Sequence, residues 1–284
     1  MKPYYSEDGI TIYHGDCREV LPMLPPESVD VIWTDPPYGH GNADGDLLSR
    51  RAEAVGDGFA SKHTPIANDR PETMRIVVDA MLTEASRLLK HDCCCCCCCG
   101  GGGGPSSPTF AWVAQRMDTG GLQFFHSVIW DKRNPGMGWR FRRQHEMIMV
   151  AHRVGGTLKW NDDAKSIPNI ISIYPERDRL HPNEKPVELT RIFLACVSAS
   201  GDMMVDPFAG SGSALIAAKI EGLQAIGVEI EERYCEIAAK RLSQSVLDFR
   251  QPDTPQPPQH TDEFGKLLGW RDSLVEEAHN AKDR

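Results

Sequence analysis

Four consecutive residues, Asp35-Pro36-Pro37-Tyr38, set a carboxylate, a stiff backbone and an aromatic ring directly after the apolar run Val29-Asp30-Val31-Ile32-Trp33-Thr34. The chemistry they suit is methylation of an amine conjugated into an aromatic ring. Such a nitrogen is a poor nucleophile because its lone pair is delocalised. A carboxylate at Asp35 accepting one N–H, with the Pro36 carbonyl accepting the other, draws the nitrogen toward a tetrahedral shape and frees the lone pair to attack a methyl sulfonium. Tyr38 offers a face on which an extruded base stacks. An ordinary Asp-Pro turn after a strand uses the same residue types, so the tetrapeptide needs support from the rest of the chain.

A second constellation supplies it. Asp202-Met203-Met204-Val205-Asp206 reads as a strand, Pro207-Phe208-Ala209-Gly210-Ser211-Gly212 as a tight turn, Ser213 to Glu221 as a helix, and Gln224 to Glu229 as a strand ending in an acid. A strand, glycine turn, helix, strand and acid in this order cradle a nucleotide-like ligand. The glycines let backbone approach the ligand, Glu229 is placed to accept hydrogen bonds from ribose hydroxyls, and Asp206 can bind the ammonium of an amino acid. The same unit serves NAD, but the G-x-G-x-x-G fingerprint is incomplete, because position 215 is Leu.

Positioning such groups requires a sheet, and the chain reads as one. Strands are expected at Ile10–Tyr13, over the run ending at Thr34, at Phe124–Trp130, at Met147–Ala151 and at Ile170–Ile173. Helices are expected at 18–24, 71–90, 108–117 (capped by Ser107 or Thr109), 187–198 and 231–242. Cys93 to Cys99, running into Gly100 to Gly104, is read as a fully buried strand and a flexible turn. Zinc is the alternative for the cysteines, but they lack the spaced C-x-x-C pairs of zinc sites. Residues 39–70 read as a mobile loop after the catalytic turn, and 251–260 as a Pro/Gln-rich linker before a short amphipathic tail helix.

The chain has 284 residues and a formal net charge of −9, which is no general polyanion-binding signature. A nucleic-acid contact must therefore be local. Between 131 and 145 lie Lys132, Arg133, Arg140, Arg142 and Arg143 with a single acid, interleaved with Trp139 and Phe141. DNA phosphates and unstacked bases call for such a mixture, although a solvated hairpin has the same composition. No run is long enough to span a bilayer, the first residues lack a signal-peptide pattern, and ten cysteines without a framework spacing fit a cytoplasmic setting.

Asp35-Pro36-Pro37-Tyr38, His181-Pro182-Asn183-Glu184-Lys185-Pro186 and Asp206-Pro207-Phe208-Ala209-Gly210-Ser211-Gly212, in this order, resemble the motifs of the AdoMet-dependent DNA amino-methyltransferases of bacteria and phages. The order, catalytic tetrapeptide before cofactor turn, resembles their β group. The likeness covers roughly residues 10 to 244; Asn183 and Ser213 stand where threonine is common in the family.

The resemblance implies an α/β, Rossmann-like sheet of seven strands, mostly parallel with one antiparallel strand and with helices on both faces. It implies a methyltransferase domain over 1–244, with 136–174 as the DNA-recognition region; 245–284, outside the likeness, is read from composition as linker and tail. S-adenosyl-L-methionine (AdoMet) would be the methyl donor, and no metal is expected. Phe208, Gly210 and Gly212 would line the cofactor, Glu229 would hold its ribose, Asp16 would contact the adenine end and Lys185 would lie near the methionine end. Duplex DNA would be the partner, with a homodimer and a cognate restriction endonuclease left open. The acid at position 35 is the commoner mark of adenine-N6 enzymes, so N6-methyladenine formed by base flipping is the expected product. Cytosine-N4 methylation is the alternative, followed by RNA or protein-glutamine methylation. A nucleotide-binding oxidoreductase would leave the tetrapeptide unexplained, as would a non-catalytic DNA-binding module.

Overall fold

A computed structural model describes residues 1–39, 66–99, 109–135, 142, 144–161, 164, 166–176, 180, 181 and 183–248. In chain order these form β1 (Tyr5–Glu7), β2 (Ile10–His14), α1 (Cys17–Val20), a 3₁₀ turn (Leu21–Met23), β3 (Val29–Thr34), α2 (Pro71–Leu88), β4 (Leu89–Cys99), α3 (Thr109–Thr119) and β5 (Leu122–Asp131). There follow β6 (His145–Arg153), β7 (Ile170–Ser172), α4 (Val187–Val197), β8 (Met203–Asp206), α5 (Ser213–Ile220), β9 (Gln224–Glu229) and α6 (Glu232–Asp248). The chain divides into Met1–Ser245 and Val246–Arg284; the linker and tail expected after 248 lie outside the described residues, as does the Gly100–Gly104 turn.

All nine strands belong to one sheet in the order β1-β2-β9-β8-β3-β4-β6-β5-β7. The inner seven match the expected pattern, since β6 alone runs against its neighbours there. The expectation of seven strands is corrected at both edges: β1 pairs antiparallel with β2, and β7 pairs parallel with β5. Each addition is three residues long, and Tyr5-Ser6-Glu7 has no apolar alternation to announce it.

Side-chain alternation along the strands feeds two cores, one on each face. On one face Val31 and Trp33 of β3 and Met204 of β8 pack with Leu189, Phe193, Leu215 and Ala238 of α4, α5 and α6. On the other, Ile32 and Val205 pack with Val20, Val78, Met81 and Met117 of α1, α2 and α3. Helix α2 reaches this second core because Met74, Val77, Val78, Met81, Leu82, Ala85 and Leu88 recur on one side of it, and Pro71 starts it where a missing N–H costs nothing. The cysteine run lies on β4, paired in parallel with β3 and antiparallel with β6, so it occupies the sheet interior as expected; the strand begins earlier, at Leu89, straight from the helix.

Two expectations shift. Thr109 is the first helical residue of α3, and its hydroxyl donates to the Tyr38 carbonyl at 3.3 Å instead of capping the helix. Within 136–174, nine residues form β6 and three form β7, so part of the expected recognition region is sheet, while 136–141, 143, 162, 163 and 165 lie outside the described residues.

The connections fix the site. From β3 the chain passes over α2 to β4 on one side; from β8 it passes over α5 to β9 on the other. Between the adjacent strands β3 and β8 the sheet reverses its winding direction, and a crevice opens beyond their carboxyl ends. The Asp35 tetrapeptide leaves one strand there and the Asp206 turn leaves the other.

Candidate active site

Asp35, Pro36 and Pro37 line one wall of this crevice, and Asp206, Phe208 and Gly210 line the opposite one. Tyr38 does not line it. The Tyr38 side chain is buried, its hydroxyl donates to Asp35 Oδ1, and it accepts from Lys185 Nζ at 2.6 Å. The expected stacking face is thus buried in this arrangement. Asp69, itself buried, accepts from the backbone N–H groups of Tyr38 (2.9 Å) and Gly39 (2.8 Å) and so sets the tetrapeptide's backbone. The end of the expected loop is therefore built into the site, with Ile66, Ala67 and Asn68 along the crevice, while 40–65 lie outside the described residues.

Asp35 is held by a cation. Lys185 Nζ lies 2.6 Å from Asp35 Oδ2 and 3.2 Å from Glu146 Oε2, and its side chain is only 7% exposed. Lys132 pairs with the other Glu146 oxygen. Burial pushes the Asp35 pKa up and Glu146 adds to the push, while Lys185 opposes both; the net shift is upward. Burial raises Glu146 too, but Lys185 and Lys132 together outweigh it and hold that acid at about 2. Expected near the methionine end, Lys185 makes its ion pairs with Asp35 and Glu146 while also lining the crevice.

On the β8 side, Glu229 accepts from Gly210 N and Glu231 N, both at 2.8 Å, which fixes its carboxylate at the end of β9 with lone pairs to spare. Asp206 accepts from Phe208 N at 3.1 Å. Burial, with the charges of Asp35 and Glu229, pushes the Asp206 pKa up to about 8; Thr34 lies near enough to lower it slightly without a well-formed hydrogen bond. Asp16 lines the crevice, yet it also caps α1 through Arg18 N (2.9 Å) and pairs with the Arg18 guanidinium at 2.6 Å.

Gly212 has a packing role. It does not line the crevice; at φ +81° it starts α5, and a Cβ there would come within 2.8 Å of Ala238 Cβ on α6. It permits close packing of α5 on α6. The missing third glycine is explained nearby: Leu215 packs so closely on β9 that a Cβ on Gly227 would meet it at 2.6 Å. The close helix–strand contact comes from a glycine on the strand instead.

The geometry has a counterpart in known proteins. Residues 29–240 match the N6/N4 DNA methylase family. The chain belongs to that family. It is 26% identical over 263 residues to the type II methyltransferase M2.DpnII of Streptococcus pneumoniae, covering 85% of this chain and 92% of that one. It is 27% identical over 266 residues to M.HinfI of Haemophilus influenzae, covering 85% and 70%. A Thermus thermophilus protein classed as a DNA modification methylase, solved with S-adenosyl-L-methionine, superposes with TM-score 0.61 at 25% identity over 83% of this chain and 93% of its own. The cytosine-N4-specific PvuII methyltransferase shares the fold, with TM-score 0.65 at 19% identity over 87% and 93%.

The methyl donor of this DNA methylase is AdoMet, and the crevice suits it. AdoMet carries an ammonium, a sulfonium and ribose hydroxyls, and the crevice offers buried carboxylates at Asp206 and Glu229. Thr190 Oγ1, fully buried at the crevice wall, has no hydrogen-bond partner among the described residues. His181, packed edge-on against Tyr234 at 4.4 Å, has its pKa pushed down to about 4, by burial first and then by Lys185 and Arg233, so it presents a neutral ring. Among the described residues no three His, Cys, Asp or Glu side chains converge as a metal site would, and no helix is long and apolar enough to cross a membrane.

The basic stretch of the methylase divides. Lys132 pairs with Glu146 and lies over the Trp130 ring at 5.1 Å. Arg133 stacks over Tyr174 at 5.5 Å, and Arg142 donates to the Pro135 carbonyl at 3.0 Å. Arg140 and Arg143 lie outside the described residues. Sequence reasoning missed Glu146, Asp69, Thr190 and Arg241. Glu146 and Asp69 look like ordinary surface acids until the sheet brings them to the tetrapeptide, and no spacing rule connects them to it.

Proposed function

We propose that this methylase transfers the methyl group of AdoMet to N6 of adenine in duplex DNA, turning the target base out of the helix. The observation that carries the reading is the Asp35 carboxylate at the tip of β3, on the lip of the crevice that Asp206 and Glu229 line. Bound AdoMet supplies an electrophilic methyl on a cationic sulfur. Asp35 accepts one N–H of the target amine, and the Pro36 carbonyl accepts the other. The nitrogen lone pair, freed from the ring, forms the new N–C bond as the S–C bond breaks and the sulfur becomes a thioether. Asp35 then takes the proton that the methylated amine sheds, a task to which its raised pKa is suited. Tyr38 reaches the base by leaving Asp35. Asp206 holds the donor's ammonium, Glu229 its ribose, and Phe208 its base. The acid at position 35 favours adenine. The type II relatives support a place beside a restriction endonuclease.

Mass spectrometry of nucleosides from duplex DNA incubated with the protein and AdoMet tests the product. N6-methyladenine is expected; N4-methylcytosine alone would move the assignment to the other amine and leave Asp35 in its role.

Asp206 gives this reading a pH signature. Its folded-state pKa, about 8, stands well above its ordinary value, so the folded chain without donor holds the proton up to that pH. A cationic ammonium binds the carboxylate and not the acid. AdoMet affinity should therefore rise as pH climbs from 6 toward 8, by up to about tenfold per unit, and Asp206→Asn should flatten the profile. A parent affinity independent of pH across this range, measured by titration calorimetry, would remove Asp206 from the donor site.

A further inference from the structure

Both oxygens of Asp35 are engaged, one by the Tyr38 hydroxyl and one by Lys185 at 2.6 Å. Each oxygen keeps a lone pair, so a target amine can still donate to Asp35, but it then shares the carboxylate with the Lys185 ammonium. If Tyr38 alone moved, the incoming N–H would still share the carboxylate with a full positive charge, which weakens it as an acceptor. If Lys185 left Asp35 without another carboxylate to meet, a side chain 7% exposed would lose its ion pair. A buried ion stripped of its partner disfavours the state that contains it by on the order of 10²–10³.

The chain already carries the second seat. Glu146, on β6 opposite Trp130, places Oε2 3.2 Å from the same ammonium. Its other oxygen is anchored by Lys132, and its side chain is only 13% exposed. Trp130 floors the arrangement, with Lys132 5.1 Å and Lys185 5.9 Å from its ring centroid and its own N–H spent on the Ile173 carbonyl at 2.9 Å. Two acids and two lysines make the cluster neutral, so a shift of Lys185 between the acids leaves its total charge unchanged.

We propose that Glu146 is a positioning residue for methyl transfer: it receives the Lys185 ammonium when the target amine takes over Asp35, and returns it when the product leaves. The inference rests on Asp35 being the group that binds the amine. Lys132 then acts through Glu146, which gives this lysine a role distinct from contact with phosphates.

The test uses the full-length protein with AdoMet and duplex substrate. Glu146→Gln keeps the shape and removes the charge; Glu146→Asp keeps the charge. Glu146→Gln should lower kcat at least ~10-fold, because the ammonium loses the second carboxylate that could hold it and stays on Asp35. AdoMet affinity should stay within about twofold, since Glu146 does not line the donor crevice. Glu146→Asp should recover most of the loss. A kcat for Glu146→Gln within twofold of the parent overturns the proposal, and so does a loss of AdoMet binding in parallel with kcat, which marks a merely structural role. Asp35→Asn, assayed alongside, separates the two readings: full turnover in that variant sinks the role of Asp35 itself, whereas an inactive Asp35→Asn beside an unimpaired Glu146→Gln sinks the Glu146 proposal alone.

Discussion

Replacing Asp35 with Ala should slow methyl transfer by ~10²–10³ or more while leaving AdoMet bound as tightly as before. The carboxylate sits at the end of β3, across the crevice from the Asp206 turn and the β9 acid that hold the donor in this reading. Its loss removes the acceptor that pulls the amine out of conjugation. Lys185 is not stranded, because Glu146 remains 3.2 Å away, so the fold should survive the change. Single-turnover methylation of duplex DNA, paired with calorimetric titration of AdoMet, reads the two effects separately. Turnover within a few-fold of the parent would show that Asp35 is not the group that meets the base. Glu229→Ala should give the opposite split, with weakened AdoMet binding first.

A second large effect is expected at the wall of the same crevice. Glu184 is 4% exposed, lies 2.8 Å from Arg241 Nη1 of α6, and accepts from Leu180 N at 2.7 Å and from the Ser213 hydroxyl at 3.2 Å. Arg241 also reaches the Ser211 carbonyl at 2.8 Å. This one pair ties the segment that carries Lys185 to the turn that carries the donor site. Arg241→Met leaves a buried carboxylate without its cation, which costs about 3–5 kcal/mol, a large part of the roughly 5–15 kcal/mol that holds a domain folded. Arg241→Met combined with Glu184→Leu should regain much of the loss, because an apolar pair of similar volume avoids the desolvation of both charges. Urea denaturation decides it: a single-variant cost under about 1 kcal/mol would mean that solvent screens the pair.

The sequence made the two turns at the crevice readable, and physics explains why. Asp35-Pro36-Pro37-Tyr38 and the Asp206–Gly212 turn each follow an apolar strand, and strand tips in such sheets are where ligands bind. The inner strands were legible for the same reason, down to β4, whose seven consecutive cysteines have no helical periodicity. The tertiary partners were not legible. Glu146 and Lys132 are 14 residues apart in the chain, and Lys185 and Asp35 are 150 apart. Only the sheet order joins them. The burial of Tyr38 was not legible, because Lys185, which donates to its hydroxyl, lies 147 residues away in the chain. The packing of Gly212 was not legible either, because its neighbour Ala238 comes much later in the chain.

The same sheet order has a consequence for how the chain is made. β3 must pair with β8, and the Asp30–Met203 bond beside that seam closes a gap of 173 residues. At ~5–20 residues per second, synthesis of that interval takes on the order of 10–30 s. Throughout it, one edge of a wholly buried apolar strand waits without its partner. No nascent chain that ends before residue 206 can contain both walls of the crevice. Ribosome-bound intermediates should therefore carry neither donor binding nor a protected β3 edge, and this edge is where a chaperone would be expected to bind.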